Sequence, residues 1–166
     1  MFKISLTIEA GHIPQGAYMK DWLREEIEVV KARCARAERK LDRRLLDDKV
    51  KQEQRPRAWA ALVAELKESV EQFNESIKLP EPLVFSQTSD RAAVAKNDNP
   101  KCRLNIAFSE AKNDISFNYS EGKGSSGSIV FDVDDNGILI FLWGNAEQTI
   151  DSIVAMLLQP VFQCVC

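Results

Sequence analysis

The chain is 166 residues long, enough for one domain with a real core and too short for two comfortable ones. An apolar content of 45% excludes overall disorder, and a net charge of −3 excludes no class of partner by itself. The charge is unevenly placed: residues 31–57 hold eleven Lys/Arg against five Asp/Glu, a balance of +6 that leaves −9 for the remainder.

Phe2, Ile4, Leu6 and Ile8 alternate with Lys3, Ser5, Thr7 and Glu9, the period of two that marks a half-buried strand within residues 1–17. This alternation is unlike the apolar stretch of an export signal. No apolar run approaches the roughly 20 residues that cross a bilayer. The expectation is a cytoplasmic protein with no membrane partner, whose Cys34, Cys102, Cys164 and Cys166 are thiols rather than bridges.

After Gly11, Pro14 and Gly16, neither Gly nor Pro occurs between residues 18 and 54. Leu23, Ile27, Val30, Cys34, Ala37 and Leu41 are spaced alternately four and three, the mark of a helix packing along one seam. Pro56 lacks a backbone donor and crowds the preceding turn, so it ends or kinks this helix. Trp59, Val63, Leu66, Val70, Phe73 and Ile77 then repeat the spacing. The simplest arrangement over residues 18–79 is an antiparallel helical pair joined near Pro56, with one long kinked helix as the alternative.

Arg36, Arg39 and Arg43 point away from the first seam, with Arg33, Lys40 and Arg44 on its flanks. Such a cationic stripe could meet nucleic-acid phosphates or an acidic subunit. The plainer reading is a solvated face partly paired with Glu38, Asp42, Asp47 and Asp48.

Beyond Pro80 and Pro82 the period changes to two. Leu83–Phe85, Leu104/Ile106/Phe108, Ile115/Phe117/Tyr119, Ile129/Phe131/Val133 and Ile138/Ile140/Leu142 predict about five short strands over residues 80–144. They follow one another too closely for intervening helices, so they form an antiparallel meander. Gly122-Lys123-Gly124-Ser125-Ser126 has the composition of a phosphate loop but lies between two strands, where a hairpin loop is expected.

Asp132-Val-Asp134-Asp-Asn136-Gly137 spells the first half of a calcium loop. Its twelfth position is Trp143, however, and its flanks alternate with period two. Asn136-Gly137 instead predicts a two-residue hairpin turn. That register puts Val133 opposite Ile140 and Phe131 opposite Leu142 on the core face. Leu139, Phe141 and Trp143 then lie on the outer face, which elsewhere carries Arg103, Asn105, Ser116 and Asn118. Either a helix of this chain covers those three residues, or they are an interface for a second subunit or partner. Residues 145–166 close with a helix capped by Asn145 and Gln148. Its apolar face is Ile150, Ile153, Val154, Leu157 and Leu158, and Pro160 limits its length.

His12 is the sole histidine, and no Ser or Cys has an identifiable base beside it. Cys164 and Cys166 with Cys102 and His12 could be imagined as a zinc site, but the second paired motif is missing. No catalytic, cofactor or metal site is assigned. The expected fold is α+β in a single domain: an N-terminal strand, a helical pair, an antiparallel sheet and a C-terminal helix packed on it. The expected function is a non-catalytic interaction or assembly module, self-associating through helix seam and outer sheet face. The alternatives are a nucleic-acid-associated protein using helix 31–57, and a ligand binder or enzyme without a visible motif.

Overall fold

A computed structural model describes residues 21–98, 101–121 and 124–165. The expected strand over Phe2–Ile8, His12 and Cys166 lie outside the described residues. The chain divides into two units, Met1–Arg43 and Arg44–Cys166. The described part of the first is helical throughout.

The architecture is α+β. Helix α1 (Asp21–Ile77) leads into a sheet of β1 (Val84–Gln87), β2 (Arg91–Lys96), β3 (Cys102–Ser109), β4 (Asp114–Glu121), β5 (Gly127–Val133), β6 (Leu139–Trp143) and β7 (Ala146–Gln148). Helix α2 (Ile150–Gln163) follows. All neighbouring strands are antiparallel and the strand order is the chain order, a seven-stranded meander.

In place of the expected helical pair there is one helix of 57 residues that continues through Pro56. An interior proline costs about 3 kcal/mol, but Gln54 to Ala58 offers no Gly, Asn or Asp from which to build a reversal. Burial beyond the proline outweighs the loss. Trp59, Leu62, Val63, Leu66 and Val70 are all buried, and each such side chain gains roughly 1.5–3 kcal/mol. The helix stops at Ile77. Lys78 turns left-handed (φ 50°), and Asn74 clamps the exit by donating to Leu83 O (2.9 Å) and accepting from Leu83 N (2.8 Å).

In the second unit the later turns of α1 and all of α2 pack on one face of the sheet. That face carries Val94, Leu104, Ile106, Ile115, Phe117, Ile129, Phe131 and Phe141. An aromatic chain ties the layers together: Trp59 stacks on Phe108, Phe108 meets Phe131 edge-on, and Phe131 leans on Phe141. Phe73 stacks on Phe162 to join the helices. Gly127 lies opposite Phe117, and a Cβ there would sit 2.7 Å from the ring, so the glycine makes room for a core aromatic.

Two strands exceed the expected five. β2 contains three alanines, a residue of weak strand preference, and burial rather than propensity holds it. β7 is only three residues long and closes through a two-residue turn, Gly144-Asn145, with Gly144 at φ 65°. The cap of α2 is therefore Thr149, whose Oγ1 accepts from Ser152 N (3.2 Å), and not Asn145. α2 also runs through Pro160 to Gln163.

The β5–β6 register differs by one residue from that of a two-residue turn. Phe131 pairs with Phe141, Val133 with Leu139 and Ile129 with Trp143. The loop is longer: Gly137 N donates to Asp134 O and Asp134 N donates to Ile138 O, with Gly137 left-handed at φ 79°. This is a turn closed by a glycine bulge. Asp134 Oδ1 secures it by accepting from Asn136 N (2.9 Å) and Ile138 N (2.8 Å). A slip of one residue exchanges the faces of a strand, so Leu139, Phe141 and Trp143 fall on the helix-covered face and Ile138, Ile140 and Leu142 on the other.

Candidate functional site

The first seam of α1 is open among the described residues. Leu23, Val30 and Leu41 are 39%, 52% and 57% exposed. Cys34 and Ala37 are exposed as well, and Ile27 is half-buried. Leu45 and Leu46, just beyond, are also exposed. A run without Gly or Pro explains why this segment is helical, but core packing does not use its apolar stripe.

The cationic side chains Arg33, Arg36, Arg39, Lys40, Arg43 and Arg44 are all exposed on the same helix. Arg39 Nε turns back to Ala35 O (3.1 Å), Lys31 pairs with Glu28 (2.9 Å), and Arg43 is already engaged.

On the second unit, the sheet face away from the helices holds an open groove of about 650 Å³. Arg91, Arg103, Asn105, Ser116 and Asn118 line it over a floor of Ala93 and Ala107. Arg103 Nε donates to Asn105 Oδ1 (3.0 Å), and Asn105 Nδ2 donates to Asn118 Oδ1 (3.1 Å). Guanidinium, carboxamide and hydroxyl groups bind by hydrogen bonding and hold no proton to exchange near neutral pH, so they suit binding more than acid–base chemistry. Arg103, Asn105, Ser116 and Asn118 were foreseeable as outward residues from strand alternation. Arg91 was not, because β2 resembles a polar connection.

A second hollow, about 860 Å³, lies between α1 and the β3–β4 turn. Its two cations, Lys51 and Arg55, are both engaged. Lys51 Nζ meets Asp132 Oδ1 at 2.9 Å, and Arg55 Nη1 donates to Glu110 O and to Asn113 Oδ1, both at 3.0 Å. The Lys51 ammonium holds the Asp132 carboxyl below the usual carboxylate range. This brace fastens the helix beside Pro56 to the sheet.

Phe141 is buried, and Leu139 and Trp143 pack against the core, Trp143 with its ring centroid 4.8 Å from that of Phe117. The chain's own helices therefore cover the face these three residues occupy. Cys102 is buried beside α2 and its thiol donates to Val161 O (3.8 Å). Burial first, then the neighbouring Cys164, pushes that thiol up from about 9 to about 11. Lys96, also buried, lies 3.1 Å from Asp98 Oδ1, off the direction of a good hydrogen bond. Among the described residues no group of three His, Cys, Asp or Glu is placed to hold a metal ion, and no helix is long and apolar enough to cross a membrane.

Neither a protein-family model, nor a curated protein, nor a solved structure matches this chain.

Proposed function

We propose that the protein is a non-catalytic assembly module that self-associates through the first seam of α1. The observation that carries this reading is the exposure of Leu23, Val30 and Leu41 at the four–three spacing of a packing helix. Six such side chains in a pair, each already about half buried, gain roughly 5–9 kcal/mol by transfer from water. Association costs about 4–15 kcal/mol. The two terms are comparable, so the pairing is reversible and depends on concentration. In a reducing cytoplasm Cys34 stays a thiol within this contact.

Light scattering on the full chain across a wide concentration range tests the reading. A mass that rises from one chain toward two supports it, and Leu23→Glu with Leu41→Glu then holds the chain monomeric without changing its circular dichroism. A strict monomer at high concentration overturns it. The cationic stripe supports a second reading, association with nucleic acid. Retention on a nucleic-acid column that weakens steeply with salt favours it, and indifference to salt removes it.

A further inference from the structure

We infer that the partner of this seam is a second copy of the same helix, lying parallel and in register, with Cys34 facing Cys34 across the axis. The inference rests on the self-association proposed above and adds its orientation. On a heptad scale, Ile27, Cys34 and Leu41 occupy the a positions and Leu23, Val30 and Ala37 the d positions. The flanking g positions are then Glu26, Arg33 and Lys40, and the e positions Arg24, Lys31 and Glu38.

In a parallel pair each g side chain meets the e side chain five residues later on the other copy. Glu26 meets Lys31 and Arg33 meets Glu38, each twice by symmetry, so both charged pairs in the seam are of opposite sign, while Lys40 meets the apolar Leu45. An antiparallel pair centred on the same stretch joins Glu26 to Lys40 and Arg24 to Glu38. It also sets Lys31 against Lys31 and Arg33 against Arg33, and like charges at these sites select against that arrangement. All four residues of the parallel pairs are exposed and free of the core. Lys31 already bonds Glu28 in its own helix, but both are about two-thirds exposed, so exchange for Glu26 of the other copy is cheap.

The full chain under mild oxidation by diamide, which takes up the two thiol hydrogens, reports the orientation. A positions face their own counterparts in a parallel pair, so a Cys34–Cys34 disulfide forms readily and is found by peptide mapping. Cys34→Ser abolishes that cross-link while leaving the mass in light scattering at two chains. Charge exchange gives an independent reading. Glu38→Lys weakens pairing about tenfold, and Arg33→Glu added to it restores the affinity. A dimer with neither the Cys34 cross-link nor the charge rescue overturns the parallel register while leaving self-association standing. A monomer at every concentration overturns both.

Discussion

Leu41 and Leu66 are the same residue at the same kind of position on one helix, yet Leu41 is 57% exposed and Leu66 fully buried. Both belong to stripes of four–three spacing, and nothing in the spacing separates them. What separates them is burial: Leu66 lies over a sheet face rich in β-branched and aromatic side chains, whereas Leu23, Val30 and Leu41 of the first seam are exposed. Helical periodicity thus reports that a face is apolar without naming what covers it. The thinness of the first stripe, with Cys34 and Ala37 at its middle, is the one local sign of a different use.

Truncation measures the contrast most directly. Leu66→Ala is expected to cost about 2–5 kcal/mol in urea unfolding, through lost transfer energy and the cavity left behind. Leu41→Ala at low protein concentration is expected to change stability by no more than about 0.5 kcal/mol. Comparable losses would erase the distinction between the two seams. A smaller effect is expected where the two parts of the helix meet. Pro56→Ala restores a donor to Gln52 O and relieves crowding, at the expense of a more flexible unfolded chain, for a net gain of about 1–2 kcal/mol. A loss of stability there would mean that the Lys51–Asp132 and Arg55–Asn113 brace needs the proline's geometry.

Much of the second unit is legible in the sequence. The buried stripe from Trp59 to Val70, five of the seven strands and the apolar face of α2 all follow from period alone. The remainder depends on competition that local patterns do not weigh. Pro56 is a strong stop signal, overruled by the burial that follows it. β2 is hidden by its alanines, and β7 is too short to show a period. Asn136-Gly137 suits either a two-residue turn or a bulged one, and the bonds made by the Asp134 side chain decide. That single choice moves Leu139, Phe141 and Trp143 from the outer face to the core. Of the candidate surfaces, both the seam and the cationic stripe were visible as residues, whereas the groove needed Arg91 to be placed on a strand.

The smallest expected effect is a slope with pH confined to the covered layer. Burial pushes the Tyr119 hydroxyl from its ordinary value near 10 up to about 12, and Cys102 is raised from about 9 to about 11. Both groups are neutral when protonated, so the folded chain favours the protonated forms. Their contribution is complete below about pH 9 and is lost as pH rises through the raised values. Urea midpoints should therefore hold steady from pH 7 to 9 and fall between pH 9 and 11. Tyr119→Phe separates the two groups. It removes the hydrogen bond to Leu157 O, which lowers stability at neutral pH, and it flattens the part of the slope above pH 10. Cys102→Ala flattens the part that begins near pH 9. A slope unchanged in both variants would place the alkaline sensitivity outside the sheet–α2 layer and weaken the contrast between its sealed interior and the open seam of α1.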